Sequence, residues 1–360
     1  MSAHAPVVIL YEALPQDATP SEQDTLVQVD EVALGLETLG YTPVRLPVTL
    51  DLLALKDALI QFRPRVVFNL VESLGRSDAL MPLAPMVIEA AGFPCTGASS
   101  AVLATTGDKV RAKGILRRAR IPTPETWPVA DTPAGLLKNR PESKWIIKSL
   151  TQQASFGLDD VSVVTGDRVA EGLKARRQRY GGAWFAERFI PGREFNYSVL
   201  QVGGRVKVLP PAEIRFVDFP EGKPHIVGYE AKWNPDAPEY HNTPRRFDFG
   251  REDRDLLHRL KRLALRAWKA FDLNGYARVD FRVDPDGNPW VLEINANPCL
   301  ARDAGFVAAA MQAGINYEAL IQTILETGEG SGAPSPTTSA FFPAFSRKER
   351  ASFSALRPLN

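Results

Sequence analysis

The amino-acid sequence predicts a mixed α/β protein of two or three domains, and three observations support this. Its 360 residues are enough for two or three domains of ordinary size. The first hundred residues alternate strand-like and helix-like segments, an order typical of an open parallel sheet with helices on both faces. The stretch from about residue 183 to 327 is richer in strand-like segments and also contains a long amphipathic helix.

Short apolar runs mark the predicted strands of the N-terminal unit. They lie at residues 7–10, 44–46 and 66–70. Apolar residues at helical spacing predict helices over 26–39, 50–62 and 82–91, each ended by a glycine or a proline. These elements define an N-terminal α/β domain over residues 1–107.

The rest of the chain divides into two further units and a tail. Residues 108–188 contain a basic helix at 109–120, strands at 145–148 and 161–164, and a glycine-bearing loop between these strands. Residues 189–327 contain the long helix, at 251–272. From Gly328 the composition becomes rich in glycine, serine and proline, which predicts a flexible tail over 328–360.

Composition excludes several classes of protein. The formal net charge of +1 gives no overall attraction to nucleic acid or to an anionic membrane. Two cysteines far apart in the sequence do not form a disulfide framework and suit a reducing compartment. The sequence has no apolar run of about 18 residues, so we expect no membrane span. The N-terminus lacks the pattern of a secretory signal. We therefore expect a soluble cytoplasmic protein.

The most informative segment is a predicted hairpin over residues 275–295. Asp286-Gly287 is a strong signal for a two-residue turn. With that turn, Asp280 faces Glu293 and Arg278 faces Asn295, and all four side chains project from one side of the sheet. Opposed carboxylates repel each other unless a cation lies between them, and Mg²⁺ prefers such oxygen ligands together with phosphate. The hairpin therefore predicts a site for magnesium and a nucleotide phosphate.

Several sequence motifs resemble the D-alanine–D-alanine ligase branch of the ATP-grasp superfamily. Arg-Val-Asp-Phe at 278–281 and Leu-Glu-Ile-Asn-Ala-Asn-Pro at 292–298 are similar to the catalytic end of that family. Further resemblance lies in Asp108-Lys109, in Ile-Ile-Lys at 146–148, in the segment 187–194 and in Tyr-Glu-Ala-Lys at 229–232. The resemblance implies an ATP-grasp fold, in which an N-terminal open parallel sheet domain precedes two α+β domains that sandwich ATP.

The resemblance also implies roles for individual residues. Contacts to ATP would come from Lys109, Lys148, Ser155, Glu187, Phe189, Ile190, Glu194 and Lys232. Glu187 and the Ile190 backbone would contact adenine, and Glu194 the ribose. Asp280, Glu293 and Asn295 would hold Mg²⁺, for which Mn²⁺ could substitute, while Arg278 and Lys232 would be catalytic. The implied substrates are small amino acids or amines, and a homodimer is expected by analogy.

The sequence departs from the family at positions that would contact substrates. The segment after the first strand carries Glu12, and the segment after the third strand carries Glu72 and Ser73. The family's acceptor-binding serine falls near Ala304, and Arg302 could hold a carboxylate in its place. Trp233 stands where the family often has tyrosine. These changes predict the same chemistry on substrates other than two D-alanines.

Three hypotheses for the function follow. The leading one is a carboxylate–amine ligase that works through an acyl phosphate. A phosphotransferase would share the activation step but end with a phosphorylated product. A non-catalytic nucleotide-binding scaffold would release no ADP with any substrate, and the complete set of Arg278, Asp280, Glu293 and Asn295 argues against it.

Overall fold

A computed structural model describes residues 5–127 and 142–330 of the protein. Its strands form three sheets, and helices pack against each of them. This arrangement confirms the predicted α+β class. Within the described ranges, no helix combines the length and the apolar character needed to cross a membrane. The boundaries between the three predicted domains remain a prediction.

The N-terminal sheet is parallel, with strand order β2-β1-β3. Its strands are β1 (Val7–Glu12), β2 (Pro43–Val48) and β3 (Val66–Asn69). This part of the chain also contains four helices, α1 (Pro20–Thr38), α2 (Leu52–Phe62), α3 (Leu83–Ala90) and α4 (Ser100–Thr106). Helix α1 begins at a reciprocal capping box between Thr19 and Glu22, which satisfies backbone donors at its first turn. The predicted βαβαβα order is therefore confirmed.

The second sheet is small and antiparallel, with strand order β5-β4-β6. It consists of β4 (Lys144–Ser149), β5 (Val163–Thr165) and β6 (Trp184–Arg188), and helix α6 (Val169–Tyr180) packs on it. The basic helix α5 (Lys109–Arg118) precedes this sheet in the chain, yet its apolar face joins the core of the third sheet. As a result, α5 connects the second and third sheets, beside the cleft into which Lys109, Lys148, Lys232 and Glu293 face.

The third sheet has six strands. These are β7 (Arg193–Val202), β8 (Arg205–Val208), β9 (Ala212–Ile214), β10 (Arg245–Arg246), β11 (Tyr276–Val283) and β12 (Pro289–Asn295). The main path runs β10-β9-β7-β11-β12, and β8 pairs with β7. Short helices α7 (Tyr229–Trp233) and α8 (Pro238–His241) precede β10. The long helix α9 (Arg254–Ala270) buries Leu256, Leu260 and Leu263 against the sheet, as its periodicity predicts.

Two C-terminal helices, α10 (Gly305–Gln312) and α11 (Tyr317–Gly330), return to the N-terminal sheet. Helix α11 packs against α1 and β3, and Glu329 forms an ion pair with Arg65. The predicted start of the tail at Gly328 is therefore wrong. Gly328 is a buried residue of this helix. A glycine suits this position because the helix approaches Thr96 so closely that a larger side chain has no room. The remaining tail, residues 331–360, lies outside the described residues.

Candidate active site

The register of the β11–β12 hairpin places the predicted metal ligands together. Asp280 faces Glu293, and Arg278 faces Asn295. Because alternate residues of a strand share a face, the four side chains lie on one side of the third sheet. The pairing predicted from the sequence is confirmed for these residues.

The turn that produces this register differs from the prediction. The backbone N–H of Asp284 donates to the carbonyl of Asn288, which leaves a loop of three residues, 285–287. Gly287 takes the left-handed conformation at the last loop position, with φ +77°, as three-residue hairpin loops require. Leu292 is then an extra residue in β12, and this bulge shifts the register back by one. The two departures cancel at Glu293.

Asp280 is held in place by its neighbours. The Arg278 guanidinium binds both of its oxygens, with Nε–Oδ1 at 2.8 Å and Nη2–Oδ2 at 2.9 Å. The Asn196 amide on β7 donates a further bond of 2.7 Å to Oδ1. Asn196 was missed from the sequence, because its proximity depends on the pairing of β7 with β11. The carboxylate is therefore ordered before any ligand binds.

Glu293 is the electrostatic centre of the site. Burial alone would raise its pKa, but nearby cations more than reverse that effect and lower the pKa to about 2. These cations come from α5, β4, α7 and β11 and are Lys109, Lys148, Lys232 and Arg278. Asp280 and Glu187 offset Arg278 and Lys148, so Lys109 and Lys232 leave an excess of positive charge around Glu293, which suits a polyanion.

The residues present fit a magnesium ion that is shared with a phosphate. In the part of the chain that the structure describes, no three His, Cys, Asp or Glu side chains gather into a complete metal site. Asp280 and Glu293 supply two carboxylates, and Asn295 supplies an amide whose oxygen accepts the Asn297 N–H at 3.1 Å. Mg²⁺ is usually held by one or two carboxylates with phosphate and water completing its shell. The donor set therefore suits a metal that arrives with a nucleotide.

Glu187 lies between two lysines at the opposite edge of the cleft. Lys148 Nζ is 2.8 Å from one of its oxygens, and Lys113 Nζ is 2.5 Å from the other. Burial raises the pKa of Glu187, but the two ammonium groups reverse that effect and lower it. Lys113 was missed from the sequence. Its position one helical turn after Lys109 is the signal that could have identified it.

A second acid at this edge is also paired. Glu194 forms an ion pair with Arg282, with 3.0 Å between Oε2 and Nη2. The Arg282 guanidinium also lies 5.8 Å from the Phe189 ring centre. The Ile190 side chain is buried. Arg282 was missed, although it lies two residues after Asp280 and therefore on the same face of β11. The predicted adenine and ribose contacts thus form one continuous edge beside β6 and β7.

The glycine-bearing loop between β4 and β5 is fastened across the cleft. The Ser155 hydroxyl donates to the Val227 carbonyl at 2.8 Å, and the Trp233 indole donates to the Ala154 carbonyl at 3.0 Å. Phe156 packs on Tyr180, with ring centres 5.5 Å apart. Trp233 immediately follows Lys232, so the loop is tied to the segment that carries this cleft lysine.

Gln153 joins the loop to the N-terminal domain. Its backbone N–H donates to Asp78 at 2.6 Å, and the Lys109 ammonium donates to the neighbouring Gln152 carbonyl at 2.8 Å. Burial raises the pKa of Asp78 to about 6, against the attraction of Lys109. Asp78 was missed because its importance depends on contacts more than seventy residues away in sequence.

The N-terminal residues predicted to contact substrate fall into two groups. Glu12 accepts hydrogen bonds from the Ser73 hydroxyl and from the backbone N–H of Arg76, so these contacts occupy both its oxygens. Glu72 accepts one bond from Gln28 at 3.1 Å, and burial raises its pKa to about 7 although Lys232 lowers it. The interaction with Lys232 places Glu72 at the cleft.

Arg302 does not lie in the site, which corrects the prediction made for it. Its guanidinium is 2.9 Å from Glu318 and 4.0 Å from the Tyr317 ring centre, on the outer side of α11. The carboxylate and ring at the start of α11 attract the side chain away from the cleft. Burial and the charge of Arg278 lower the pKa of Arg245, which donates to the Asp303 carbonyl at 2.8 Å.

Known proteins are similar to this chain in sequence and in fold. A family model described as D-ala D-ala ligase C-terminus matches residues 143–326. A D-alanine–D-alanine ligase of Methylococcus capsulatus is 32% identical over 81% of this chain and 87% of its own length. An uncharacterised protein, y4sG, of Sinorhizobium fredii is 28% identical over 87% of this chain and 90% of its own length.

Solved structures show the same architecture. A Bacillus anthracis D-alanine–D-alanine ligase complexed with ATP aligns with a TM-score of 0.67 and 20% identity over 90% of this chain and 97% of its own. The VanG D-Ala:D-Ser ligase of Enterococcus faecalis aligns with a TM-score of 0.64 and 15% identity over 90% and 99% of the two chains. These comparisons confirm the ATP-grasp fold. On the sequence match and the family model, the chain belongs to the D-alanine–D-alanine ligase family of ATP-grasp ligases, enzymes that form carbon–nitrogen bonds.

Proposed function

We propose that this protein uses ATP and Mg²⁺ to join a carboxylate to an amine through an acyl phosphate, on substrates other than two D-alanines. One observation carries the proposal. Cations from four separate elements converge on Glu293, which faces Asp280 across the hairpin. Such an arrangement is suited to a triphosphate that brings its own metal, because lysines act as point charges for phosphate.

The reaction proceeds in two steps. A substrate carboxylate oxygen attacks the γ-phosphorus of ATP, the bond to ADP breaks, and an acyl phosphate forms. An amine then attacks the acyl carbon, loses a proton and expels phosphate to leave an amide. Bound Mg²⁺ would offset the negative charge of the phosphates, with Asp280, Glu293 and Asn295 as its ligands.

The protein's own groups contribute position and charge. Lys148 and Lys109 approach the phosphates from β4 and α5, and Arg278 lies where negative charge develops during both steps. The segment that Ser155 and Trp233 fasten covers the phosphates and excludes water. Glu187, Phe189 and the Ile190 backbone receive adenine, and Glu194 receives the ribose.

Substrate choice is where this chain differs from its relatives. Both oxygens of Glu12 accept bonds, from Ser73 and Arg76, so Glu12 is less available to a substrate amine than Glu72, which accepts a bond from Gln28 through one oxygen. One solved neighbour is a D-Ala:D-Ser ligase, so the second substrate varies among proteins of this fold. We infer that Glu72 contacts the substrate amine and that the acceptor differs from D-alanine.

The direct test is a screen for ADP release with pairs of D- and L-amino acids and small amines, followed by mass spectrometry of the products. A ligase gives an amide that has lost one water relative to its two substrates. A phosphorylated substrate without an amide would instead support a phosphotransferase. D-alanyl-D-alanine as the preferred product would contradict the inferred change of substrate.

The catalytic assignment has its own test in Glu293→Ala. Loss of a preorganised charge at the reacting phosphates is expected to reduce turnover by about 100-fold or more while the protein stays folded. Glu171→Ala on α6 is the matched control, since Glu171 is exposed and pairs only with Arg168 among the described residues. Turnover of Glu293→Ala within a few-fold of the control would reject the metal site.

A further inference from the structure

Lys113 is among the most buried charged side chains in the described chain, with an exposed fraction of 1%. Its ammonium group donates to the Thr123 hydroxyl at 3.1 Å and to the Leu292 carbonyl at 2.9 Å, and it pairs with Glu187 at 2.5 Å. Two of its three donors therefore make hydrogen bonds, and the contact with Glu187 is an ion pair between buried charges. These partners belong to three separate segments of the chain.

The two lysines beside Glu187 are not equivalent. Lys148 is 18% exposed and opens towards the cleft, where Glu293 also attracts it. Lys113 is enclosed by Thr123, the Leu292 carbonyl and Glu187. When a triphosphate enters, Lys148 can leave Glu187 for the phosphates, whereas Lys113 stays. Without Lys113, the departure of Lys148 would leave a buried carboxylate with no cation beside it, which is costly.

We propose that Lys113 is a positioning residue for selection of the nucleotide base: it keeps Glu187 ionised and oriented towards the 6-amino group of adenine while Lys148 serves the phosphates. This inference rests on the proposed function, in which Glu187 contacts adenine. An ionised carboxylate only accepts hydrogen bonds. It therefore matches the amino group of adenine and repels the 6-oxo group of inosine.

Lys113 also connects base selection to the metal site. Its bond to the Leu292 carbonyl fixes the bulge in β12, and that bulge sets the face on which Glu293 projects. The Thr123 hydroxyl donates to the neighbouring Val291 carbonyl at 2.8 Å, which holds the same stretch of backbone. One ammonium group thus contacts the acid assigned to adenine and the strand that carries the metal ligand.

The test compares the displacement of a fluorescent ATP analogue by ATP and by inosine triphosphate, with Mg²⁺ present. The wild-type protein is expected to prefer ATP. In Lys113→Met, affinity for ATP should fall by about tenfold more than affinity for inosine triphosphate, because only the hydrogen bond to the 6-amino group loses its charged acceptor, whereas any change at the β12 bulge affects both nucleotides equally. Arg111→Met is the control, since Arg111 is exposed on the same helix.

A double variant separates positioning from general loosening of the fold. In Lys113→Met with Glu187→Gln, no buried carboxylate remains unpaired, so its ATP preference should match that of Glu187→Gln alone. Equal losses of both nucleotides in Lys113→Met, or an unchanged preference for ATP, would overturn this inference. Failure of the wild-type protein to bind either nucleotide would instead contradict the proposed function.

Discussion

At the scale of single residues, the site combines charges that the sequence predicts with charges that only the fold reveals. Asp280, Glu293 and Arg278 could be predicted because strand alternation and one turn place them together. Helix and strand spacing could have pointed to Lys113 and Arg282, but not to their roles, since the former bonds a strand 179 residues away and the latter an acid 88 residues away. Arg302 shows the converse, because a residue near the motif was drawn to a surface acid instead.

Glu72 gives a prediction about pH. Burial raises the pKa of its carboxyl to about 7, so this group is protonated below that pH and ionised above it. If the ionised form binds the substrate amine, the KM for the amine should fall as pH rises through about 7. Steady-state kinetics between pH 6 and 8.5 measure this change.

The matched variant for that profile is Glu72→Gln, which has no group to ionise. Its KM for the amine should be about tenfold higher than that of the wild type above pH 8 and should not change near pH 7. A KM that still falls across pH 7 in this variant would show that another group is responsible.

At the scale of elements, the hairpin has the predicted register at Glu293 although its turn was predicted incorrectly. The sequence signal favours a two-residue turn, but the chain uses three loop residues and then a bulge at Leu292. The bulge could not be predicted from β12 itself, because the groups that hold it, Thr123 and Lys113, belong to other segments. A slip of one residue would have moved Glu293 to the core face.

The loop over the cleft depends on Gly157. This residue has φ +61°, and a Cβ there would lie 2.6 Å from the Trp184 ring. Gly157→Ala should therefore lose stability through both backbone strain and a clash, and the displaced loop should raise the KM for ATP by about tenfold.

Gly182→Ala is the control, because Gly182 has a similar φ of +65° but open space where its Cβ would be. That variant should lose only about 1 kcal/mol of unfolding free energy and keep its KM for ATP. Urea unfolding and steady-state kinetics compare the two variants. Equal effects of both substitutions would show that the packing of the loop on Trp184 does not matter.

At the scale of the whole molecule, the C-terminal helix secures the N-terminal sheet. Composition around Gly328 predicted the start of a tail, but a glycine there permits close packing on Thr96. A Cβ at position 328 would lie 2.8 Å from the Thr96 side chain and 3.0 Å from its Cα. Thr96 cannot easily move, since its hydroxyl accepts the Asn69 N–H at 3.0 Å. Glycine-rich composition alone could not distinguish a glycine that begins a flexible tail from one that permits close packing of a helix.

This contact predicts different outcomes for two glycines of one helix. Gly328→Ala should lower the free energy of unfolding by about 1–3 kcal/mol, because the helix must shift away from Thr96. Gly330→Ala should leave stability close to that of the wild type, because no described residue beyond its own neighbours and helix turn lies within 4 Å of the added Cβ. Urea denaturation measures both, and equal stabilities would contradict the close packing described here.

The central claim is that Glu293 and its facing acid convert a cluster of cations into a site for a magnesium-bound triphosphate. Calorimetric titration of ATP into the wild-type protein and into Glu293→Ala, each with and without Mg²⁺, tests it most directly. Magnesium should strengthen ATP binding to the wild type by at least about tenfold, and this gain should be largely lost in Glu293→Ala. Absence of binding to the wild type with Mg²⁺, or an equal gain in both proteins, would contradict the account.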